Sequence, residues 1–438
     1  MADPAMSVSP YWELTFDADG DPAGRPRDRL LAGVAERKVR DLVVFAHGWN
    51  NDRSGATRLY DRFLAPMPRL APAARIGYAG VLWPAMRFSD EPIPDFPRAA
   101  AAEAPRRPVL DKDTRHALLE SFPGRAILVE QIARLLEQQP PEEGELEEFG
   151  RLVRLLVEVV APGPQALFAA DTVAEGVPQS EPGMLAGSSA AVCEEFARAL
   201  AGLDASGARE GFGLPNPWEG AHELLRQATY YAMKRRAGTV GERGLGRVVG
   251  QLAKAAPGVR VHLVGHSFGA RLVSFALRGL PEGVRTVKSV TLLQGAFSHY
   301  AFAARLPHDA RAGGVLQGQQ NRVDGPVVCC YSRHDSALGT MYPLASRMAG
   351  DSRSVAGLDM GRVLGARWGA MGYDGVQAVP GTRAYTLAEA LRAKLPGSGC
   401  VNVDAAAVVR RGGPPAGAHS DILHEELARL VLAAGRVR

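Results

Sequence analysis

Apolar side chains recur along this chain in short continuous runs. They are YWELTF (11–16), DLVVFAHG (41–48), GYAGVLWP (77–84), VRVHLVGHS (259–267), VKSVTLLQG (287–295), GPVVCCYSRHD (325–335) and CVNVDAAAVV (400–409). Runs of this length, closed by Gly, Pro or Asp and lacking polar–apolar alternation, predict strands covered on both faces, as in a parallel sheet. The Asp and Gly cluster DADGDPAG after the first run predicts a turn. Between the later runs, apolar positions three and four apart predict helices over 220–236, 245–255, 268–279 and 421–434. Strands alternating with helices predict an α/β class: a doubly wound, mostly parallel sheet.

From about 86 to 218 the rhythm breaks, with no convincing buried strand. The stretch opens on a Pro-rich loop, EPIPDFPRAAAAEAPRRP, and continues with helical patterns over 124–138 and 145–160, parted by QQPPEEGE. Pro/Gly-punctuated sequence follows, with a further helix near 188–202. The expected organisation is a core built from 1–85 and 220–438, interrupted by a mainly helical cap insertion over 86–219. The alternatives are an independent domain and a partner-binding module. No internal repeat is visible.

Composition narrows the function classes. At 438 residues, 46% hydrophobic and 22% charged, the chain has the makeup of a soluble globular protein that can bury a large core. A formal charge of +4 provides no nucleic-acid footprint. The excess of 45 arginines over 6 lysines, in a chain rich in Ala and Gly, reads as coding bias. No apolar stretch reaches the length of a membrane span, and the N-terminus lacks the basic start and apolar core of a signal peptide. Cys193, Cys329, Cys330 and Cys400 match no zinc or redox spacing and read as buried free thiols. The expected location is the cytoplasm. GERGLGRVVG (241–250) is Gly-rich but lacks the Gly-Lys-Ser/Thr ending of a phosphate loop and follows no buried strand.

The candidate chemistry centres on Gly265-His266-Ser267-Phe268-Gly269. With 49 glycines in the chain, a lone G-x-S-x-G is weak evidence, and a strand–turn–helix is the bland reading. Its context is stronger: VHLV leads into the motif, and ARLVSFALRGL after it has helical spacing. A serine raised on so tight a turn requires small residues two before and two after it, which Gly265 and Gly269 supply. A nucleophilic serine also needs a base, an acid to orient that base, and donors for an oxyanion.

Acid and histidine are expected after the serine in chain order. Of His299, His308, His334, His419 and His424, His419 has the best setting: the Gly/Pro-rich loop GGPPAGAHSDI, before a helix that Ser420 could cap. His334 adjoins the best acid candidate, and His424 falls one turn into the last helix. Asp335 ends the strand VVCCYSRHD, at the carboxyl edge where functional residues of open sheets gather. Asp309, Asp324 and Asp404 are weaker rivals. For the oxyanion, the expected donors are the backbone amides of Phe268 and of Trp49, in the loop His47-Gly48-Trp49-Asn50. There Gly48 lets the backbone turn and His47 braces the loop.

With HGWN (47–50), GHSFG (265–269), the strand-end Asp335 and AHSD (418–421), the chain resembles the α/β-hydrolase superfamily over 1–85 and 220–438. FAHGWNND together with VLWPA (81–85) resembles a bacterial group of serine hydrolase-like proteins, and lipases and esterases share the plan. The resemblance implies acyl transfer on a small-molecule or lipid ester, with Ser267 as nucleophile, His419 as base and Asp335 as its orienting acid. It implies no metal or organic cofactor. A carboxylic ester hydrolase is the leading expectation. Lipase, phospholipase, thioesterase and amidase remain within the same chemistry, and a non-catalytic interaction protein on the same fold is the rival from another class. The bulky Trp49 after His-Gly departs from the further glycines that many lipases place there and implies a narrowed acyl pocket.

Overall fold

A computed structural model describes residues 6–49, 51–86, 88, 109–158, 167–174, 183–205, 215–341, 369–413 and 416–438. Asn50 and the Pro-rich stretch 91–108 lie outside the described residues, as does part of the Pro/Gly-punctuated sequence that follows. Ten strands occur among those described: β1 (Tyr11–Thr15), β2 (Asp41–Ala46), β3 (Ile76–Leu82), β4 (Thr172–Ala174), β5 (Arg260–His266), β6 (Val287–Leu293), β7 (Ala312–Gly314), β8 (Val327–Tyr331), β9 (Arg383–Thr386) and β10 (Cys400–Asp404). Eight of them form one sheet in the order β1-β3-β2-β5-β6-β8-β10-β9, and every neighbouring pair is parallel. All seven apolar runs therefore became strands of one α/β sheet.

The continuous apolar character of the runs has its cause in the two faces of the sheet. Leu42, Val44 and Ala46 point into one apolar cluster with Val81, Leu263 and the helix Phe268–Gly279. Val43 and Phe45, between them, point into a second cluster with Val264 and the helices Arg53–Leu64 and Glu425–Gly435. Each strand must therefore be apolar at odd and even positions alike. Along the sheet the order reverses between β2, whose neighbour β3 follows it in the chain, and β5, which starts the run in the other direction. The crevice at such a switch point, outside the carboxyl ends of the strands, is where open α/β sheets bind ligands.

Two kinds of element escaped the apolar pattern. The edge strand β9 is four largely exposed residues, RAYT, so it leaves no apolar run. Strands β4 and β7, three residues each, form a separate antiparallel pair, which puts a short strand inside the stretch expected to have none. That stretch otherwise holds the helices Lys112–Ser121, Ala126–Gln138, Glu143–Leu156 and Ser189–Ala205. Its apolar faces, through Phe149, Leu152 and Trp218, join the same cluster as the first sheet face. Helices Gly24–Glu36 and Arg53–Leu64 form between the early strands, the second capped by Asp52, whose carboxylate accepts the Gly55 amide at 2.7 Å.

The last helix begins at Glu425, so neither the predicted start at 421 nor a Ser420 cap is realised. The physical reason is the carboxylate of Asp421, which accepts the amides of Arg410 and Arg411 and holds this stretch as a turn. His424 consequently occupies the position before the helix rather than one turn inside it. No helix among the described residues is long and apolar enough to cross a membrane.

Candidate active site

Ser267 stands between β5 and the helix Phe268–Gly279 with φ 55° and ψ −119°, a strained backbone for a non-glycine residue. The turn is held by its own backbone: the Ser267 amide donates to Leu293 O at 3.1 Å, and its carbonyl accepts from Ala270 N and Ala296 N. The flanking glycines are required by close approach. A Cβ on Gly265 would fall 2.3 Å from Gly269 O, and one on Gly269 would fall 2.0 Å from Ala46 O.

Asp335 lies in the turn after β8 and is fully buried. Its Oδ1 accepts the Leu338 amide at 3.0 Å, which leaves Oδ2 facing His419 Nδ1 at 2.8 Å. His419 comes from the turn at 416–420, laced to the Asp335 loop by Ala418 N donating to His334 O and Ala337 N donating to Ala416 O. Because a carboxylate only accepts, Nδ1 carries the proton and the bare Nε2 is free to accept. It meets Ser267 Oγ at 2.9 Å. Three residues from three loops, 68 and 84 positions apart in sequence, thus form one Ser–His–Asp relay.

The rival groups are engaged elsewhere. His299 Nδ1 lies 2.8 Å from Asp374, and His424 Nε2 lies 2.9 Å from Asp421. Asp324 pairs with Lys288, and Asp404 accepts the Ala406 amide. A second Ser–His–Asp set does occur, with His262 between Asp41 and Ser289 at 2.9 Å on both sides, but it is sealed within the sheet. Arg260 also pairs with Asp41 there, so this set serves as a buried structural network.

The loop after β2 is braced from behind. The His47 amide donates to Tyr60 Oη at 2.9 Å, and the indole of Trp83 donates to His47 O at 3.0 Å while its ring stacks on the imidazole. His47 Nδ1 donates to Gly48 O at 2.8 Å, and burial lowers its pKa to about 4, so the ring is neutral. Asn51 Nδ2 donates to Trp49 O at 3.4 Å. This brings Gly48 against Ser267. Among the described residues neither the Trp49 nor the Phe268 amide donates to a protein acceptor.

Three features had no sequence signal of their own. The Trp49 indole packs edge-on against Tyr230 at 5.0 Å and Phe88 at 6.2 Å, and Tyr230 in turn contacts Phe268 at 4.6 Å. Arg271, on the helix that follows Ser267, is fully buried. His266 reaches the turn at 416–420 through its ring, with Nε2 at 2.9 Å from His419 O. Among the described residues no group of three or more His, Cys, Asp or Glu is placed to hold a metal ion. Comparison of the chain with family models, with curated proteins and with solved structures returned no match.

Proposed function

We propose that this chain is a serine hydrolase of the α/β-hydrolase fold that cleaves carboxylic esters through an acyl-enzyme, with the helical stretch 86–219 as a cap. The observation that carries the reading is the relay of Ser267 Oγ, His419 Nε2 and Nδ1, and Asp335 Oδ2, at 2.9 and 2.8 Å. Ser267 Oγ attacks the ester carbonyl carbon and passes its proton to His419 Nε2. The carbonyl oxygen becomes an oxyanion, received by the Phe268 and Trp49 amides, and Asp335 stabilises the imidazolium. Collapse of the tetrahedral species breaks the bond to the alcohol, which leaves with the proton from His419. Water, deprotonated by His419, then attacks the acyl-serine, and the carboxylic acid departs as Ser267 regains its proton.

All four cysteines are free and buried, which supports a reducing, cytoplasmic setting. The test is labelling with a fluorophosphonate, in which Oγ–P forms and fluoride leaves. Wild type should label and Ser267→Ala should not. An unlabelled wild type, or equal labelling of both, overturns the reading.

A further inference from the structure

His266 precedes the serine and is 2% exposed, yet it carries a polar ring into the centre of the site. Its Nε2 lies 2.9 Å from the backbone carbonyl of His419. A carbonyl only accepts, so Nε2 bears the proton and Nδ1 is a bare lone pair. That Nδ1 is sealed from solvent and has no hydrogen-bond partner among the described residues. It faces Gly48: a Cβ there would lie 3.3 Å from Nδ1 and 2.6 Å from Ser267 Cβ. Burial, reinforced by His419, lowers the His266 pKa to about 3, which keeps the ring in one neutral tautomer.

The base loop needs such a hold. It is GGPPAGAH (412–419), with Gly412 and Gly417 at positive φ and few large side chains to anchor it. The bonds from Ala418 N to His334 O and from Ala337 N to Ala416 O tie this backbone to the Asp335 loop, on the acid's side of the imidazole. His266, one residue from Ser267, ties the base's main chain to the nucleophile's own turn. The same ring borders the loop that would carry the oxyanion donor.

We infer that His266 is a positioning residue: its Nε2–H sets the His419 backbone at the distance where Nε2 of His419 meets Ser267 Oγ, and its proton-free edge sets how closely Gly48 approaches. This rests on the hydrolase reading above. A misplacement of about 1 Å at a reacting group costs on the order of 10²-fold in rate.

The experiment compares His266→Phe, a ring without a donor, and His266→Gln, whose amide N–H can replace Nε2–H. The readouts are kcat and KM on a chromogenic acetate ester, fluorophosphonate labelling rate, and the low-field proton resonance of the Asp335–His419 hydrogen bond. The Phe variant should lose about 10–100-fold in kcat and labelling rate, with KM nearly unchanged and the low-field resonance shifted or broadened. The Gln variant should recover most of the loss. If Phe prevents folding, His266→Met serves as the donor-free variant. A folded donor-free variant with wild-type kcat, or a Gln variant as impaired as the donor-free one, overturns the inference. Failure of the wild type to label overturns the hydrolase reading itself, so the two failures are distinct.

Discussion

Arg271 and Asp171 form an ion pair in the interior, where the guanidinium is fully buried one turn beyond Ser267. The guanidinium also donates to the carbonyls of Phe168, Ala170 and Lys234, at 2.8, 2.7 and 3.1 Å. Asp171 receives Lys234 Nζ at 2.8 Å and the Ser298 amide at 3.0 Å. Burial, with the charge of Arg271 adding to it, lowers the Lys234 pKa against the pull of Asp171. The segment 167–174 is thereby fastened to the helix Phe268–Gly279 and to the loop after β6. Without Arg271, Asp171 keeps Lys234, but the buried carbonyls of Phe168 and Ala170 lose their donor. Arg271→Met is expected to cost about 3 kcal/mol in denaturant unfolding, since each orphaned buried acceptor costs about 1–3 kcal/mol. A loss below 1 kcal/mol would show that the network is not a fastening.

Gly48 sets a steric limit at the proposed oxyanion loop. A methyl group there would meet Ser267 Cβ at 2.6 Å and His266 O at 3.1 Å, so the loop must retreat. Displacing one hole donor costs about 2.7–4 kcal/mol of transition-state stabilisation. Gly48→Ala should lower kcat/KM by about 10²–10³-fold while the circular dichroism spectrum stays that of wild type. Gly24→Ala, where an added Cβ meets nothing within 4 Å, is the control and should keep full activity. Unchanged activity in Gly48→Ala would remove this loop from the hole.

Trp49 bears on chain length. In the proposed chemistry the leaving alcohol takes its proton from His419, so the acyl chain extends on the other flank of the carbonyl carbon. The indole, packed against Tyr230, Phe88 and Phe268, is expected to line that flank. Wild type should favour acyl groups of about two to four carbons, and Trp49→Ala should move the optimum to longer ones, since each methylene in a pocket is worth roughly 1–3 kcal/mol. The amide at position 49 is backbone and survives the substitution. A p-nitrophenyl ester series reads the outcome, and a wild type most active on long chains would refute the wall.

The site was legible where its demands are local or follow chain order. Gly265 and Gly269 announce the tight turn because their Cβ atoms would strike backbone within the turn and the neighbouring strand. Strand end and loop composition single out Asp335 and His419, and the fold sets His419 Nδ1 at 2.8 Å from Asp335 Oδ2. The contacts that adjust the site were illegible, because they join residues far apart: Arg271 and Asp171 are 100 positions apart, and His266 and His419 are 153. The strand β9 was missed because an exposed edge needs no apolar run. The last helix starts later than the pattern predicts because Ser420 does not cap it: the Asp421 carboxylate is spent on two loop amides.

Three buried histidines make the fold sensitive to mild acid. Burial lowers the pKa of His47 to about 4 and of His266 to about 3, and it lowers that of His262 against the pull of Asp41. In the unfolded chain each returns to about 6.5. Above that value both states are neutral and these groups contribute no pH dependence. As pH falls through 6.5 the unfolded chain takes up protons that the folded chain refuses, so stability drops until the folded pKa values are reached. At pH 5, linkage puts the loss at about 2 kcal/mol for each of His47 and His266, and His262 acts in the same direction. Urea unfolding at pH 7.5, 6.0 and 5.0 should show a steepening fall. His266→Gln should remove one proton's share, about 1.4 kcal/mol per pH unit below 6. Stability that stays flat from pH 7.5 to 5 would mean that these rings titrate in the folded protein as they do in the unfolded chain.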